Sequence, residues 1–226
     1  MIVHLVRHGR IPDHRADHPL TPEGRGEALA AGRGLAAGVR PGETIRFFAS
    51  PTRRTRQTAA LLRQGLSAGL AQAKVDAVLE PVVIDDRLEN LQFYLDGLSY
   101  DPVQPLLDAA RWRLQTTGSP AYEACVAFQS AFWGSPDPMD YWLTHPSQAV
   151  EAPEAVAART RSYIAERLGD PRPGRAVCVS HAANLRAFLR LVFGRDPGEP
   201  AFCGMLTASE GRVEYRGQLG HFPAGG

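Results

Sequence analysis

Two histidines and two arginines stand where buried runs of the chain come to an end. The run at residues 2–6 is apolar and β-branched except for His4, and it stops at Arg7, His8 and Gly9. A second apolar run, residues 45–49, leads through Ser50 and Pro51 into Arg53, Arg54 and Arg56, and a later one, residues 175–179, leads into Ser180 and His181. The planar fork of arginine matches the oxygens of a phosphoryl group, and a helix N-terminus adds backbone donors. A neutral imidazole nitrogen is a competent nucleophile toward phosphorus. The ligand these residue types imply together is a phosphate. Taken singly, each has a plain structural explanation: Arg-His-Gly arises by chance, the arginine run suits a solvated helix face, and His181 suits a satisfied core histidine. Their shared placement at strand ends gives them a common meaning.

The elements around them explain why they would meet. Residues 2–6 read as a strand covered on both faces, and residues 45–49, 81–85 and 175–179 as three further strands. Helices are expected after Thr21-Pro22-Glu23, where a hydroxyl cap precedes a proline and an acid, and after Ser50-Pro51. Others are expected over residues 152–168, with Val156, Tyr163, Ile164 and Leu168 on one face, and after His181. Gly24, Gly26, Gly32 and Gly34 weaken the first of these helices. Residues 205–208 and 213–215, joined through Glu210-Gly211, read as a closing hairpin. Alternation of strands and helices predicts a three-layer α/β/α fold with a mainly parallel sheet, whose ligand crevice lies beyond the carboxyl ends of the strands. Between residues 90 and 150 the periodicity fades, aromatics accumulate and prolines recur, so this stretch reads as an inserted cap of short helices and loops within one domain spanning residues 1–226.

Composition narrows the partners. The 226 residues suffice for a sizeable core, and 44% hydrophobic with 22% charged residues is the make-up of a globular protein. Twenty-five Lys and Arg against 24 Asp and Glu leave a net charge of +1, so no global field attracts nucleic acid or a membrane surface. Lys74 is the only lysine, and Cys125, Cys178 and Cys203 lie far apart without C-x-x-C spacing, which indicates neither a disulfide framework nor a zinc knuckle. With no apolar run of membrane-spanning length and no leader pattern, a reducing cytoplasm is the expected compartment. A homodimer is left open.

In this setting the chain resembles the histidine phosphatase superfamily, also called the phosphoglycerate mutase-like family. LVRHG at residues 5–9, LTPEGRGEA at 20–28, SPTRRTRQTA at 50–59, EAPEAVAAR at 151–159 and CVSHAANLRA at 178–187 carry the resemblance, in the family's order. It implies that His8 is the nucleophile that accepts the phosphoryl group. Arg7, Arg54 and a protonated His181 would hold its oxygens, with Gly9 letting the backbone turn so that the imidazole aims into the crevice. Arg53 and Arg56 fall where the family has no catalytic residue and read as surface charge. No metal or cofactor is implied.

Two departures accompany the resemblance. Members often follow Arg-His-Gly with Glu or Gln, then Thr or Ser, and an Asn further on; here Arg10, Ile11 and His14 stand in those places. Arg10 would add a cation at the mouth, and His14 would replace a phosphate donor or lie in a surface loop. Many members place the proton-donating Glu two residues after a Leu, a spacing that lands on Asn90 from Leu88, with Glu89 one place early. Glu89 is the expected donor here; Asp85, Asp86, a cap residue, or a leaving group that needs little protonation are the alternatives.

The expected activity is metal-independent hydrolysis of a small-molecule phosphomonoester. A mutase must hold a doubly phosphorylated sugar acid, yet the cap sets only Arg111 and Arg113 against Asp96, Asp101, Asp108, Glu123, Asp137 and Asp140. A phosphoglycerate mutase-type transfer and a phosphate-binding member that has lost turnover are the alternatives. A different class, a divalent-metal hydrolase, would use His4, His8, Asp13, His14, Asp17 and His18, but Arg7, Arg10 and Arg15 interleave with them and repel a cation.

Overall fold

A computed structural model of the protein describes residues 1–14, 16–95, 97–103 and 119–222. Arg15, Asp96, Asp108, Arg111 and Arg113 lie outside the described residues. The architecture is mixed α/β with a seven-stranded, mainly parallel sheet. In chain order its strands are β1 (Ile2–Arg7), β2 (Thr44–Ala49), β3 (Val78–Ile84), β6 (Arg175–Ser180), β7 (Met205–Ser209), β8 (Arg212–Tyr215) and β9 (Gln218–His221). Their order across the sheet is β3-β2-β6-β1-β7-β8-β9. The first four pair parallel, and β7, β8 and β9 continue antiparallel from β1.

Helices cover both faces, as alternating strands and helices require. On one face lie α1 (Pro22–Leu35) and α2 (Arg53–Ala73), packed through Leu62, Leu66 and Leu70 on Ile45, Phe47, Val177 and Val179. On the other lie α5 (Pro153–Leu168) and α6 (Ala182–Phe193), packed through Tyr163, Ile164, Leu185 and Phe188 on Val3, Leu5 and Cys178. The glycines of α1 that weaken it as an isolated helix have a packing use. A Cβ on Gly32 would lie 2.2 Å from the Leu62 carbonyl oxygen of α2, so its absence lets the two backbones touch.

Among the described residues, the stretch between the third strand and α5 forms a small hairpin, β4 (Phe93–Leu95) with β5 (Leu98–Tyr100), and the helices α3 (Pro120–Gly134) and α4 (Pro138–Thr144). Phe93, Phe128, Phe132 and Trp142 pack there with Val156 of α5 and Ala183 of α6, so the cap and the helices beneath it share one apolar cluster. No described helix is long and apolar enough to cross a membrane.

Local signals misplace one helix start and miss one strand. Thr21 does cap α1, accepting from the Gly24 amide at 3.1 Å. Ser50-Pro51, by contrast, is not the start of α2, which begins at Arg53 with Thr52 before it, because Ser50 is engaged with His181. The closing hairpin is real, with Glu210 and Gly211 both at positive φ as a tight turn requires. A third strand, β9, follows it through Arg216 and Gly217.

Candidate active site

Sheet register brings the site together. Arg7 pairs with Ser180 and Ala49 with Val179, so β1, β2 and β6 end at one level. The amides just beyond continue the ladder, His8 donating to the Ser180 carbonyl at 3.0 Å and Ser50 to that of Val179 at 3.1 Å. Neighbouring strands therefore deliver Arg7-His8, Ser50 and His181 side by side. Arg54, in the first turn of α2, completes the group. All four charged or titratable side chains are buried, Arg54 to 1% exposure. They line a cavity of about 320 Å³ whose far wall is apolar, with Val103, Phe132, Trp133 and Met139.

Hydrogen bonds assign the two imidazoles. His8 Nδ1 lies 2.8 Å from the Gly9 carbonyl oxygen, so Nδ1 carries the proton and Nε2 keeps its lone pair. His181 has the opposite tautomer: Arg54 Nη2 donates to Nδ1 at 3.2 Å, and Nε2 donates to Ser50 Oγ at 2.9 Å. The rings are 5.5 Å apart. Burial first, then the Arg54 charge, holds both well below the ordinary histidine value. His181 is thus neutral in this structure, where the sequence reading makes it a cation. A bound phosphate dianion offsets the arginine charge and favours its protonation.

The arginines are oriented by carboxylates. Arg54 reaches Asp17 at 3.2 Å and Asp101 at 3.3 Å, and burial raises the Asp101 pKa against the pull of Arg54. Arg7 pairs with Glu199 at 2.7 Å, bonds the Pro200 carbonyl and stacks 4.1 Å over the Phe202 ring. The Nε–H of each arginine is buried without a partner among the described residues. Glu199 turns its second oxygen to Arg186 Nη1 at 3.2 Å, and Arg186 also holds Asp137 of the cap at 2.7 and 2.9 Å and Asp196.

The remaining residues expected from sequence divide. Gly9 is not at positive φ and does not line the cavity; it is required because a Cβ would come 2.7 Å from the Gly24 carbonyl oxygen, and its amide bonds Thr58 Oγ1. Arg10 is not among the residues lining the cavity; it is exposed, paired with Glu27 at 3.3 Å and 4.9 Å from the Phe202 ring. Glu89 faces an adjoining pocket with Asp17, Thr52 and Asp101 on the other side of Arg54, its backbone carbonyl held by Asn184 and Arg159. It is Asn90 that lines the His8 cavity. Asp85 is bound to Arg87, and Asp86 is exposed. His14 is half-buried and lines the cavity, its ring 6.3 Å from His8 and stacked 5.9 Å from Trp133. Arg53 and Arg56 are exposed.

The carboxylates and histidines of the first eighteen residues do not gather. His4 bonds Thr207 at 3.0 Å inside the sheet, His18 pairs with Asp13 at 3.1 Å, and Asp17 serves Arg53 and Arg54. Among the described residues no group of three or more such side chains converges as a metal site does.

Comparison with known proteins identifies the family and the fold. A family model described as the histidine phosphatase superfamily, branch 1, matches residues 3–119 and 127–222. The chain belongs to that superfamily. Solved structures share the fold at low identity. YhfR of Bacillus stearothermophilus aligns at a TM-score of 0.58 and 18% identity, over 98% of this chain and 99% of its own. A phosphoglycerate mutase of Bacillus anthracis aligns at 0.55 and 16%, over 97% and 90%. A mycobacterial glucosyl-3-phosphoglycerate phosphatase, solved with VO3, aligns at 0.50 and 19%, over 91% and 90%. A search of curated sequences finds no match.

Buried neutral histidines set an acid limit on this superfamily member. Burial, above all, brings His4 and His14 to about 4. The unfolded chain protonates its histidines near pH 6.5, so between there and pH 4 it binds more protons than the folded chain. Stability is full above that window and falls as pH drops through it, by on the order of 3 kcal/mol from the buried His4 alone. Urea midpoints at pH 7.0, 5.5 and 4.5 should decline in that order, and equal midpoints at pH 7.0 and 5.5 would contradict the burial of neutral histidines.

Proposed function

We propose that the protein is a metal-independent phosphatase that hydrolyses a phosphomonoester through a phosphohistidine on His8. The observation that carries this reading is the buried, neutral His8, its proton fixed on Nδ1 by the Gly9 carbonyl, beside two guanidinium groups whose Nε–H donors are unpartnered among the described residues. The Nε2 lone pair attacks phosphorus, the bond to the ester oxygen breaks, and that oxygen leaves with a proton. Water then attacks the phosphohistidine, the P–N bond returns its electrons to Nε2, and inorganic phosphate departs. Arg7 and Arg54 balance the charge spread over the equatorial oxygens in both steps.

Hydrolysis is favoured over mutase chemistry by the cavity wall rather than by the cap's overall charge. Asp101 and Asp137 are paired with Arg54 and Arg186, so the negative charge of these two cap residues is offset by buried arginines. Beyond the phosphate end the described lining is largely apolar, with Val103, Phe132, Trp133 and Met139. That wall supports an ester with an apolar or neutral body. The test is acid-free quenching of native protein with labelled phosphoester. An acid-labile, base-stable label on the protein is expected, and it should persist with full turnover after chelator treatment. Absence of label would overturn the proposal, and equally efficient phosphoglycerate mutase activity would overturn its choice of hydrolysis.

A further inference from the structure

We propose that His14 is the proton donor to the leaving group and the base for the attacking water. This rests on the phosphatase reading above and concerns the same cavity.

Apart from the polar residues around His8, Arg7 and Arg54, the cavity open to the body of an ester is lined largely by apolar side chains, Val103, Phe132, Trp133 and Met139 among them. His14 lines the same cavity, its ring steeply inclined to that of His8 at 6.3 Å and stacked on Trp133. The other titratable side chains lining the cavity are engaged. His181 uses both ring nitrogens, on Arg54 and Ser50. Asp137 is gripped by Arg186 through both oxygens, and Glu199 divides its oxygens between Arg7 and Arg186. The ring nitrogens of His14 make no hydrogen bond among the described residues, and Asn90, on the same cavity, has no proton to give. Glu89 faces the adjoining pocket.

The balance closes on one residue. With His14 as imidazolium, its proton passes to the leaving oxygen as the P–O bond breaks, leaving the ring neutral. Neutral His14 then takes a proton from the water that attacks the phosphohistidine, and is ready for another cycle. Burial first, and then Arg7 and Arg54, disfavour the imidazolium, while Asp13 supports it. A phosphate dianion on the two arginines offsets their share of that penalty, so substrate binding favours the imidazolium relative to the empty site.

The experiment compares wild type, His14→Gln and His14→Ala on 2,4-dinitrophenyl phosphate, whose leaving group departs as an anion, and on phenyl phosphate, whose leaving group gains from a proton. Loss of a general acid should lower kcat/KM for phenyl phosphate about 10²- to 10³-fold and that for the dinitrophenyl ester by less than about threefold. Thermal melts and phosphohistidine formation from the dinitrophenyl ester report whether each variant keeps its fold and nucleophile. Equal losses on both esters, no loss on either, or the same selective loss in Glu89→Gln instead, would overturn the assignment. Failure of the wild type to form phosphohistidine with any ester would overturn the phosphatase reading, a different outcome from parallel losses with labelling intact.

Discussion

His8→Ala should abolish phosphohistidine formation and lower kcat/KM for every phosphomonoester by about 10⁴- to 10⁶-fold, the scale seen when a covalent nucleophile is removed. The size follows from the loss of the attacking nitrogen itself, the one imidazole whose Nε2 lone pair is set beside both Arg7 and Arg54; His14 is proposed above to move protons at the leaving group instead. His181 is the nearest imidazole, but its Nδ1 lone pair is taken by Arg54 and its Nε2 is a donor to Ser50. Turning it into a nucleophile would require breaking both bonds and moving a proton. The fold should survive, because His8 is neutral and its ring makes one hydrogen bond, to the adjacent carbonyl of Gly9. A melting temperature within a few degrees of wild type, with phosphate binding retained by Arg7 and Arg54, is the expected accompaniment. Steady-state kinetics on an aryl phosphate, with label trapping alongside, decide the matter. A variant retaining a tenth of native turnover would mean that another group attacks phosphorus.

That prediction rests on residues the sequence already singled out, and the reason they were legible is local. β1 and β6 are apolar runs whose last residue is followed at once by the functional one, so strand end and active residue are adjacent in the chain. β9 was missed because Gln218–His221 is an edge strand with exposed Leu219 and no apolar alternation. Ser50 was misread because Ser-Pro is also a local helix-start signal, and its tie to His181 crosses 131 positions. Glu199 and Asp137 were invisible for the same cause: the group that gives them a role, Arg186, lies on another element. Arg186 itself stood inside the CVSHAANLRA segment, five residues after His181, where its burial was the missing signal. Glu89 was chosen by type and proximity to Leu88, whereas backbone direction after the turn at Asp86–Leu88 presents Asn90 to the cavity instead.

Arg186→Met should cost about 3 kcal/mol of stability, the lower end for removing one partner from a buried ionic network. The guanidinium is 1% exposed, and against the opposing effect of burial Asp196 and Asp137 hold its pKa above the ordinary value. Without it three carboxylates lose a cation they share, though Asp137 and Glu199 are 41% and 46% exposed and recover water, which limits the loss. For a chain of this length about 3 kcal/mol lowers the melting temperature by about 6–12 °C. The deficit should narrow as pH falls below 4. Arg186 holds Asp137 below its usual carboxylate value against burial, so that contribution is present at neutral pH and is lost on protonation. The same change should reach the chemistry. Asp137 caps α4, and Glu199 holds Arg7, so one buried arginine ties the cap to the phosphate clamp. Well below the melting temperature the variant should therefore label at His8 more slowly than wild type while still labelling fully. Melts at pH 7 and 3.5 with single-turnover labelling measure both effects. An unchanged melt at pH 7 would show that the network is not stabilising, and an unchanged labelling rate would show that Arg7 needs no support from Glu199 and Arg186.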